Sequence, residues 1–489
     1  MKKLVLIFDC GATNVRVIAI NKQGEIVASK SFPNQTREDP DYKGGRIWDL
    51  DEIWEKLCAA SKEVVSKIDK QAIVAVTTTT FGVDGTFLDK KGKLLYPVIS
   101  WQCERTEPIM QNIGKYIPLS ELYKFNGINA YSFNTINKLI WFKENLPQLL
   151  SEADSFLFMP SLINFKLSGK KRNDITMLGT SMLSSLDNRG LSTEILGKIG
   201  FPAYLFGSIG EASEMAGEVT PLASEQTGLP KGTMVCLAGH DTQFAIFGSG
   251  ADTNQPVLSS GTWDILMVRS TQFSTTELQL KTGITTEFDA IPGLYNIGLN
   301  RLGSGIIEWV RKQFYSECQD GNCYDVMINE AMTVEIGSNG IYINPDFNNS
   351  KNSIHRGEII GLTLNSKRGE IFRAVLEALS FQLKLSLSAL ENAGGFKAEK
   401  IICVGGGSKN RLWNQIRADV AGLPIEIIQQ KETTVLGASF FAFTAVGVYS
   451  CPEEARKNIS YNSEFFYPSE NHKQYQKTFQ QWHNLINQQ

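Results

Sequence analysis

A short polar segment near the N-terminus has the composition of a phosphate-binding turn. Residues 9–14 read DCGATN and separate two apolar runs, Leu4–Phe8 and Val15–Ile20. Side chains this small let backbone N–H groups approach phosphate oxygens, and Arg16 could add a positive charge. Asp9 would repel a phosphate by itself, so its place here fits a residue that holds Mg²⁺ through water. A plain Gly-rich hairpin turn, capped by Asp9, is the alternative.

A second polar turn repeats this arrangement in the other half of the chain. Ser259–Thr262 reads SSGT and lies between the apolar segments Pro256–Leu258 and Trp263–Val268. Hydroxyl and N–H donors without a bulky side chain suit a second phosphate contact, although an ordinary β-turn has the same composition. Because strand, polar turn and strand recur, we predict an internal structural duplication and two domains, 1–250 and 251–489.

Three consecutive glycines follow a predicted strand near the C-terminus. Gly405–Ser408 reads GGGS and links the apolar segment Ile401–Val404 to a predicted helix, Asn410–Val420. Glycine lets a flat ring or a ribose lie against the backbone, and Asn410 and Asn414 could add polar contacts. The alternative is a strand-to-helix turn that uses glycine for steric reasons. No Gly-x-x-x-x-Gly-Lys-Ser/Thr sequence occurs, which excludes a P-loop.

One acidic residue lies where a catalytic base would be needed. Asp241 follows the apolar run Met234–Ala238 and begins a predicted helix, Asp241–Gly248, with an Asp or Thr cap. A hydroxyl that attacks a phosphorus atom must lose its proton, and a carboxylate within hydrogen-bond distance can accept it. A helix N-cap is the alternative role, and the two roles are compatible.

A Thr-rich strand leads into a candidate substrate segment. Thr77–Thr80 is followed by Phe81-Gly82-Val83-Asp84-Gly85. The glycines open room, Phe81 supplies an apolar wall, and Asp84 could accept hydrogen bonds from sugar hydroxyls. A β-hairpin with an Asp-Gly turn is the alternative interpretation of the same residues.

Composition excludes several classes of protein. The 489 residues are 42% hydrophobic and 20% charged with a net charge of −3, which argues against a nucleic-acid binder. No apolar stretch approaches the ~20 residues of a membrane helix, and no signal-peptide cleavage pattern is seen. The eight cysteines are scattered, as in the reducing cytosol. We predict a cytoplasmic protein, a monomer or a homodimer, that binds small molecules and neither nucleic acid nor membrane.

The predicted elements favour an α/β fold. Two successive hairpins open the chain, whereas a Rossmann fold would enter a helix after its first strand. Apolar spacing predicts helices at Leu50–Lys67, Asn134–Glu144, Ser161–Leu167 and Arg368–Ala393, the last closed by Gly394-Gly395. A Rossmann dehydrogenase is further excluded because no Gly-x-Gly-x-x-Gly follows the first strand.

Two long patterns resemble the signatures of the FGGY family of carbohydrate kinases. The first is Phe133-x-Thr135-x-x-Lys138-Leu139-x-Trp141-Phe142-x-Glu144-Asn145. The second is Gly357-x-Ile359-x-Gly361-Leu362 and, after seven residues, Glu370-Ile371-x-x-Ala374-Val375-Leu376-Glu377. The resemblance extends from Leu4 to about Pro468. It implies two actin-like, hexokinase-like (ribonuclease H-like) α/β domains, each with a central mixed sheet, that face each other across a cleft.

The family resemblance implies a role for each candidate residue. Asp241 would be the catalytic base, Asp9 would hold Mg²⁺, and ATP would be the phosphoryl donor. The ATP-binding residues would be Gly11, Ala12, Thr13, Asn14, Arg16, Gly261, Thr262, Gly405, Gly406, Gly407 and Asn410. The sugar-binding residues would be Gly82, Asp84, His240, Asp241, Thr242 and Asn296.

Within the family, the chain is most similar to the kinases of L-fuculose. The matching stretches are residues 9–16, 80–85, 239–245 and 412–416. This similarity implies phosphorylation of the C1 hydroxyl of L-fuculose in fucose catabolism. L-rhamnulose and D-ribulose stay open as substrates, and so does a catalytically weak sugar-binding protein with the actin-like fold.

One departure from the family concerns a residue near the predicted sugar site. Trp101-Gln102-Cys103-Glu104-Arg105 stands where many relatives have Trp-x-Asp-x-Arg. A thiol behaves as a small hydrophobe, and an unpaired carboxylate against a methyl group would be costly. We interpret Cys103 as a sign of a sugar that carries a methyl group in place of a hydroxyl.

Overall fold

A computed structural model describes residues 3–318, 322–347, 356–430 and 432–487. The chain forms two compact units. The first unit comprises Met1–Gly250, Thr271–Asn296 and Glu432–Ser460, and the second comprises Ala251–Ser270, Ile297–Lys431 and Tyr461–Gln489. The division into the domains 1–250 and 251–489 stays a prediction. In the structure, the later segments Thr271–Asn296 and Glu432–Ser460 pack with the first unit. None of the helices in these described ranges is long and apolar enough to cross a membrane.

The elements are numbered in chain order. The strands are β1 (Leu4–Cys10), β2 (Asn14–Asn21), β3 (Ile26–Pro33), β4 (Arg37–Glu38), β5 (Arg46–Trp48), β6 (Ile73–Thr80), β7 (Gly85–Leu88), β8 (Val98–Ile99), β9 (Ser155–Phe158), β10 (Arg172–Asp174), β11 (Ser184–Ser185), β12 (Gly190–Leu191), β13 (Ser208–Gly210), β14 (Met215–Glu218), β15 (Met234–Cys236), β16 (Val257–Ser260), β17 (Trp263–Ser270), β18 (Thr285–Phe288), β19 (Tyr295–Leu302), β20 (Tyr342–Asn344), β21 (Glu358–Ile360), β22 (Ile401–Val404), β23 (Ile425–Ile428) and β24 (Ser463–Phe466).

The helices follow the same numbering. They are α1 (Leu50–Ser66), α2 (Glu107–Gln111), α3 (Leu119–Asn126), α4 (Thr135–Asn145), α5 (Pro147–Glu152), α6 (Met159–Ser168), α7 (Ile175–Gly179), α8 (Thr193–Ile199), α9 (Pro221–Thr227), α10 (Asp241–Gly248), α11 (Glu277–Thr282), α12 (Ser304–Phe314), α13 (Cys323–Met332), α14 (Arg368–Gly394), α15 (Arg411–Ala421), α16 (Thr433–Ala445), α17 (Pro452–Lys457) and α18 (His472–Asn487). Short 3₁₀ helices lie at Lys70–Ala72, Glu104–Thr106, Ile113–Lys115, Ala203–Phe206, Ser338–Gly340 and Gly406–Lys409.

The first unit is built on a mixed sheet with the strand order β14-β15-β6-β1-β2-β3. The pairs β1–β2 and β2–β3 are antiparallel, which confirms the two predicted opening hairpins. On its other side β1 runs parallel to β6, and β6 runs parallel to β15. Every residue of β1 is buried, as expected for a central strand that is covered on both faces.

Two apolar cores stabilise the first unit. One lies between the sheet and α1, where the helix begins at the N-cap Asp49 and buries Ile53, Leu57 and Val64. The other is rich in aromatic rings and joins α4 to β7 and β9, with Phe87 packed edge-on against Phe142. The predicted helix at Leu50–Lys67 is confirmed, although it ends one residue earlier.

The second unit repeats the frame of the first. Its sheet contains the order β19-β17-β16-β22-β23-β24, in which β16 and β17 form an antiparallel hairpin. β16 runs parallel to β22, and β22 runs parallel to β23. Each unit therefore places a hairpin beside two parallel strands in the same order, which confirms the structural duplication that the sequence predicted.

One long helix forms the core of the second unit. α14 runs over 27 residues and ends at the left-handed Gly395, so the prediction from apolar spacing is confirmed. Its buried side packs with α12, α13 and α15 around Phe372, Leu376 and Trp413. α15 then follows β22 through the three glycines, and this glycine segment lies beside the polar turn between β16 and β17.

Candidate active site

The polar turn between β1 and β2 presents one carboxylate held by two partners. Asp9 Oδ1 accepts a hydrogen bond of 2.9 Å from Thr79 Oγ1, and Asp9 Oδ2 accepts one of 2.6 Å from Arg16 Nε. Arg16 also pairs with Glu432 at 2.8 Å. The Asp9 side chain is 11% exposed, so it lies at the surface of the turn with a fixed orientation.

Hydrogen bonds within the turn and from Asn34 hold the backbone of this turn. Gly11 donates its N–H to Asn14 O at 2.8 Å, and Asn34 binds Gly11 O through its amide and Thr13 O through its backbone N–H, both at 2.8 Å. The Thr13 and Asn14 side chains are exposed. An open cavity of about 430 Å³ lies here, lined by Asp9, Gly11, Thr13, Asn14, Arg16, Ile18, Ile26, Ser29, Lys30, Ser31 and Glu432.

Asp241 lies at the start of α10 with one carboxylate oxygen engaged. Its Oδ1 accepts hydrogen bonds from Thr242 N at 2.7 Å and from Thr242 Oγ1 at 3.3 Å, and no other hydrogen bond to this carboxylate is found among the described residues. Burial and the charge of Asp9 raise the pKa of Asp241, whereas His240 opposes this shift. The helix begins at Asp241 as predicted, but the predicted Asp or Thr cap is wrong because the N-cap is His240.

The position of α10 depends on two glycines. A Cβ on Gly248 would overlap Thr433 O, and a Cβ on Gly437 would overlap Phe244 O. No other residue could occupy these positions without separating α10 from α16. The close contact of the two helices therefore fixes the helix that carries Asp241.

His240 brings the sugar candidates together. Its Nε2 lies 3.7 Å from Asp241 Oδ1, and a Cβ on Gly82 would lie 2.9 Å from the same nitrogen. Thr80 N donates to Gly239 O at 2.9 Å, which ties the end of β6 to this segment. Gly82, His240, Asp241 and Thr242 are therefore adjacent.

A buried aspartate holds the backbone of His240 through a threonine. Thr176 Oγ1 accepts a hydrogen bond of 2.9 Å from His240 N and donates to Asp174 Oδ1. Asp174 caps α7 and is completely buried, and burial raises the pKa of Asp174 to about 6. Neither Thr176 nor Asp174 was a sequence candidate, because Thr176 reaches His240 across 64 positions of the chain and Asp174 acts through Thr176.

Asn296 lies at the end of a chain of polar side chains. It is fully buried on β19 and donates its amide to Gln243 Oε1. Gln243 in turn donates to Glu287 Oε2, and that oxygen lies 3.4 Å from His240 Nδ1. The link between Asn296 and His240 therefore runs through Gln243 and Glu287, which sequence reasoning missed because they lie on separate elements.

Asp84 differs from its predicted role. The side chain is fully buried, its Oδ1 is paired with Lys138 Nζ, and its Oδ2 accepts from Trp48 Nε1 at 2.7 Å and from Trp101 N at 3.0 Å. We therefore correct the prediction that Asp84 binds sugar hydroxyls, because its carboxylate oxygens serve buried donors. The alternative Asp-Gly hairpin is not formed either, since β7, which begins at Gly85, pairs with β9.

The first signature pattern explains this buried pair. Val83 has a φ of +64°, which is unusual for a β-branched residue. Its carbonyl accepts hydrogen bonds from Thr135 Oγ1 at 2.7 Å and from Lys138 Nζ at 3.3 Å. Two side chains of one turn of α4 therefore hold the strained segment that follows Gly82.

Cys103 also does not have the role that its chemistry indicated. Its thiol accepts hydrogen bonds from Arg46 N at 3.3 Å and from Arg105 Nε at 3.1 Å, and the residue is 4% exposed. Arg105 is paired with Asp39 and stacks on Trp141. The thiol therefore supports a buried arginine, and the interpretation that it lies against a sugar methyl group is replaced by this one.

In the second unit, the polar turn between β16 and β17 rests on a buried ion pair. Ser260 Oγ donates to Asp264 Oδ1 at 2.9 Å and accepts from Arg417 at 2.7 Å, and Arg417 lies 3.2 Å from Asp264 Oδ2. Burial raises the pKa of Asp264, and Arg417 opposes this. Thr262 is exposed, and Gly261 is half-buried.

The three glycines lie against this turn. Gly405 has a φ of +91°, and a Cβ there would lie 2.5 Å from Ser260 O. A Cβ on Gly407 would overlap Ser260 Oγ, whereas Gly406 is exposed with nothing within 4 Å. Asn410 caps α15 by accepting from Trp413 N at 3.1 Å. The glycines therefore permit the close approach of two loops, and Gly406 leaves open space above them.

Comparison with known proteins gives the family of the chain. The N-terminal domain of the FGGY family of carbohydrate kinases matches residues 4–248, and its C-terminal domain matches residues 257–446. The chain is 44% identical over 467 residues to an L-fuculokinase of Escherichia coli (strain K12), with 96% of this chain and 98% of that protein covered. It is 28% identical over 458 residues to a rhamnulokinase of Bacteroides thetaiotaomicron, with 91% and 92% covered.

A solved structure shows the same fold. The xylulose kinase from Rhodospirillum rubrum superposes with a TM-score of 0.90 over 100% of this chain and 99% of that chain, at 19% identity. The predicted two-domain α/β fold with a mixed sheet in each domain is confirmed. Both signature patterns, both domain models and full-length relatives agree, and the chain belongs to the FGGY family of carbohydrate kinases.

Proposed function

We propose that this chain transfers the γ-phosphoryl group of ATP to the C1 hydroxyl of L-fuculose, forming L-fuculose 1-phosphate and ADP. The observation that carries the proposal is Asp241, which lies beside His240 and Gly82 and whose Oδ2 is not engaged by any of the described residues. The 44% identity to an L-fuculokinase over nearly the whole chain supports the choice of sugar.

Asp241 acts as the general base. Its Oδ1 is held by Thr242, and its Oδ2 is left to accept the proton of the C1 hydroxyl as that oxygen attacks the phosphorus atom in line. Little covalent chemistry is asked of the protein, so the rate depends mainly on positioning. The rigid contact of α10 with α16 at Gly248 and Gly437 supplies that positioning.

His240 and Gly82 bind the sugar. The imidazole Nε2 faces the space beside Gly82, where an added Cβ would reach within 2.9 Å of it. A ring nitrogen in this position can bind a sugar oxygen while the carboxylate of Asp241 takes the proton. Thr242 holds the carboxylate, and Asp84, through Lys138 and Val83, holds the segment that carries Gly82.

Asp9 has the chemistry of a Mg²⁺ site. Carboxylate oxygens are ligands that Mg²⁺ prefers, and the Asp9 side chain lines the cavity beside Thr13 and Asn14. Each Asp9 oxygen keeps a lone pair beyond its bond to Thr79 or Arg16, which fits contact through Mg²⁺-bound water. Mg²⁺, when bound, neutralises charge on the phosphates.

The proposed nucleotide contacts are made by the two turns and the glycine loop. Residues Gly11, Ala12, Thr13, Asn14 and Arg16 in the first unit supply donors to phosphate oxygens. Gly261 and Thr262 supply donors in the second unit, and Gly405, Gly406 and Gly407 border the adenosine, with Asn410 acting through its cap on α15. A cytoplasmic location and a monomeric or homodimeric state stay predictions.

The test is a coupled ADP-release assay with a panel of sugars. The panel holds L-fuculose, L-rhamnulose, D-ribulose, D-xylulose and glycerol, each with wild-type protein and with Asp241→Asn. We expect the highest kcat/KM on L-fuculose and a fall in kcat of about 10²–10⁴-fold in the variant. Asp187→Asn, which changes an exposed aspartate of the same unit, is the matched control and should keep wild-type activity.

The outcomes separate substrate from mechanism. Highest turnover on L-rhamnulose or D-ribulose, still lost in Asp241→Asn, would keep the base and overturn L-fuculose. Full activity of Asp241→Asn would overturn the assignment of the base. Sugar-dependent thermal stabilisation without ADP release from any sugar would instead identify a sugar-binding protein of the same fold.

A further inference from the structure

We propose that Glu287 is a positioning residue for phosphoryl transfer: it keeps His240 protonated and oriented, and His240 in turn keeps Asp241 ionised at neutral pH. This inference deepens the function proposed above and rests on it. Glu287 lies on β18, 46 positions beyond Asp241 in the chain, and it belongs to neither signature pattern.

Glu287 is held in place by an oriented chain of amides. Asn296 donates its Nδ2 to Gln243 Oε1, so the Gln243 amide must point its nitrogen the other way. That nitrogen donates to Glu287 Oε2. Gln243 and Asn296 are completely buried, which leaves no solvent to replace these bonds. The same Oε2 lies 3.4 Å from His240 Nδ1, which is buried and makes no hydrogen bond within the described ranges of the chain.

The imidazole of His240 lies between two carboxylates. Its Nδ1 faces Glu287, and its Nε2 faces Asp241 Oδ1 at 3.7 Å. A neutral imidazole carries one N–H, so one of its nitrogens would present a lone pair to a carboxylate. The protonated ring presents an N–H to each. The arrangement therefore favours the imidazolium form.

Neighbouring acidic groups raise the pKa of both His240 and Asp241. Burial disfavours a charged His240, but the nearby carboxylate of Glu287, with Asp241 and Asp174, raises the pKa of His240. Burial and Asp9 raise the pKa of Asp241, and His240 acts against them. The neighbouring Cys10 thiol is buried, and its own pKa is raised by burial, so it stays neutral beside Asp241. His240 is thus the cation that opposes the acids Glu287, Asp174 and Asp9 around the base.

Loss of the Glu287 charge would change the pKa of His240 and, through it, the pKa of Asp241. Removing the charge of Glu287 lowers the pKa of His240, so the ring is neutral over more of the pH range. The pKa of Asp241 then rises, because the cation that opposed burial is lost. A base that takes up a proton at higher pH shifts the acid limb of the pH–rate profile upward.

The experiment combines kinetics with a titration that needs no substrate. In Glu287→Gln, the acid limb of kcat/KM for L-fuculose should move to higher pH by about one unit. NMR titration of the imidazole resonances of the free protein, which has four histidines, should show His240 titrating above the ordinary value of about 6.5 in wild type and lower in the variant. Glu287→Asp, which keeps the charge, should largely restore both, and Glu225→Gln, which changes an exposed carboxylate, should alter neither.

Several outcomes would overturn the proposal. One is an unchanged acid limb in Glu287→Gln together with an unchanged His240 titration, even if the rate falls equally at every pH. Another is a wild-type His240 that titrates below the ordinary value, a result that requires no variant to fold. A lowered His240 pKa in Glu287→Gln, in a protein without kinase activity on any sugar, would support the control of His240 and would count against the proposed function alone.

Discussion

The two units use the same hairpin but place their charges on opposite faces of it. The last paired residues before each turn are Cys10 and Val15 in the first unit and Ser260 and Asp264 in the second. In the first unit this inner pair is apolar and buried. In the second unit it carries the buried ion pair with Arg417.

The preceding pair shows the reverse pattern. Asp9 pairs with Arg16 in the first unit beside the cavity at the turn, where the arginine side chain is 30% exposed, whereas Arg417 in the second unit is fully buried. The corresponding pair of the second unit is Ser259 and Ile265, which carries no charge. Successive residues of a strand point to opposite faces, so a shift of one residue moves a charge to the other face of the hairpin.

The carboxylates of the two hairpins therefore lie in different surroundings. In the first unit the carboxylate of the hairpin lines an open cavity, and the cation beside it is shared with Glu432. In the second unit the carboxylate holds the turn against the glycine loop. A duplicated topology therefore does not imply duplicated roles, because the face that carries the charge decides whether the charge lines a cavity or holds two loops together.

The largest effect should come from breaking the buried pair. Asp264→Asn leaves the Arg417 charge buried without a counter-ion, and we expect the free energy of unfolding of the second unit to fall by about 3–5 kcal/mol. Chemical denaturation followed by tryptophan fluorescence measures this. Asp325→Asn, at an exposed position of the same unit, is the control. A loss no larger than in the control would mean that the two hairpins do not differ in the way described.

Asp9→Asn should show the opposite behaviour. The Arg16 side chain is 30% exposed and keeps Glu432 as a partner when Asp9 is changed, so the free energy of unfolding should change by less than about 1 kcal/mol. Activity at limiting Mg²⁺ should fall by about 10–100-fold, because the carboxylate proposed to hold Mg²⁺ is lost. Steady-state kinetics over a range of Mg²⁺ concentrations tests this. A stability loss like that of Asp264→Asn, with normal activity, would contradict the comparison.

A third prediction concerns a buried carboxylate without a cation. Because burial raises the pKa of Asp174 to about 6 from the ordinary 3.8, the folded protein binds a proton that the unfolded chain has lost between these values. Ionised Asp174 therefore destabilises the fold above pH 6, and this destabilisation disappears as the pH falls from 6 towards 4.

Asp174→Asn keeps the helix-cap oxygen and removes the charge. The advantage of the variant over wild type in unfolding free energy should be about 1 kcal/mol larger at pH 7 than at pH 5. Denaturation of both proteins at the two pH values measures this difference, with Asp187→Asn as a control. An advantage that is the same at both pH values would exclude titration of Asp174 as its cause.

Effects of similarly small size should come from glycines that follow the parallel strands. Gly82→Ala brings a methyl group to 2.9 Å from His240 Nε2, and Gly407→Ala brings one into overlap with Ser260 Oγ. We expect about a 10-fold higher KM for the sugar in the first variant and about a 10-fold higher KM for ATP in the second. Gly114→Ala, which meets nothing within 4 Å, is the control. If both variants raised the same KM, the division between sugar and nucleotide residues would be wrong.

Local features of the chain were predictable from sequence. The opening hairpins, the start of α10 at Asp241, the strand Ile401–Val404 and the end of α14 at Gly395 all follow from apolar spacing and glycine over a few neighbouring residues. The family followed from two long patterns, and the polar turns followed from their small residues.

The partners of the charged residues were not predictable in this way. Asp84 pairs with Lys138, Asp264 with Arg417, and His240 with Glu287, across separations of 54, 153 and 47 positions. Each pair exists only because separate elements meet in the fold. Whether a carboxylate can bind a ligand or only stabilises the fold depends on the residues packed around it. The sequence by itself determined the frame, the turns and the candidate base. The tertiary structure decided which carboxylates are buried, because burial and pairing depend on contacts between distant segments.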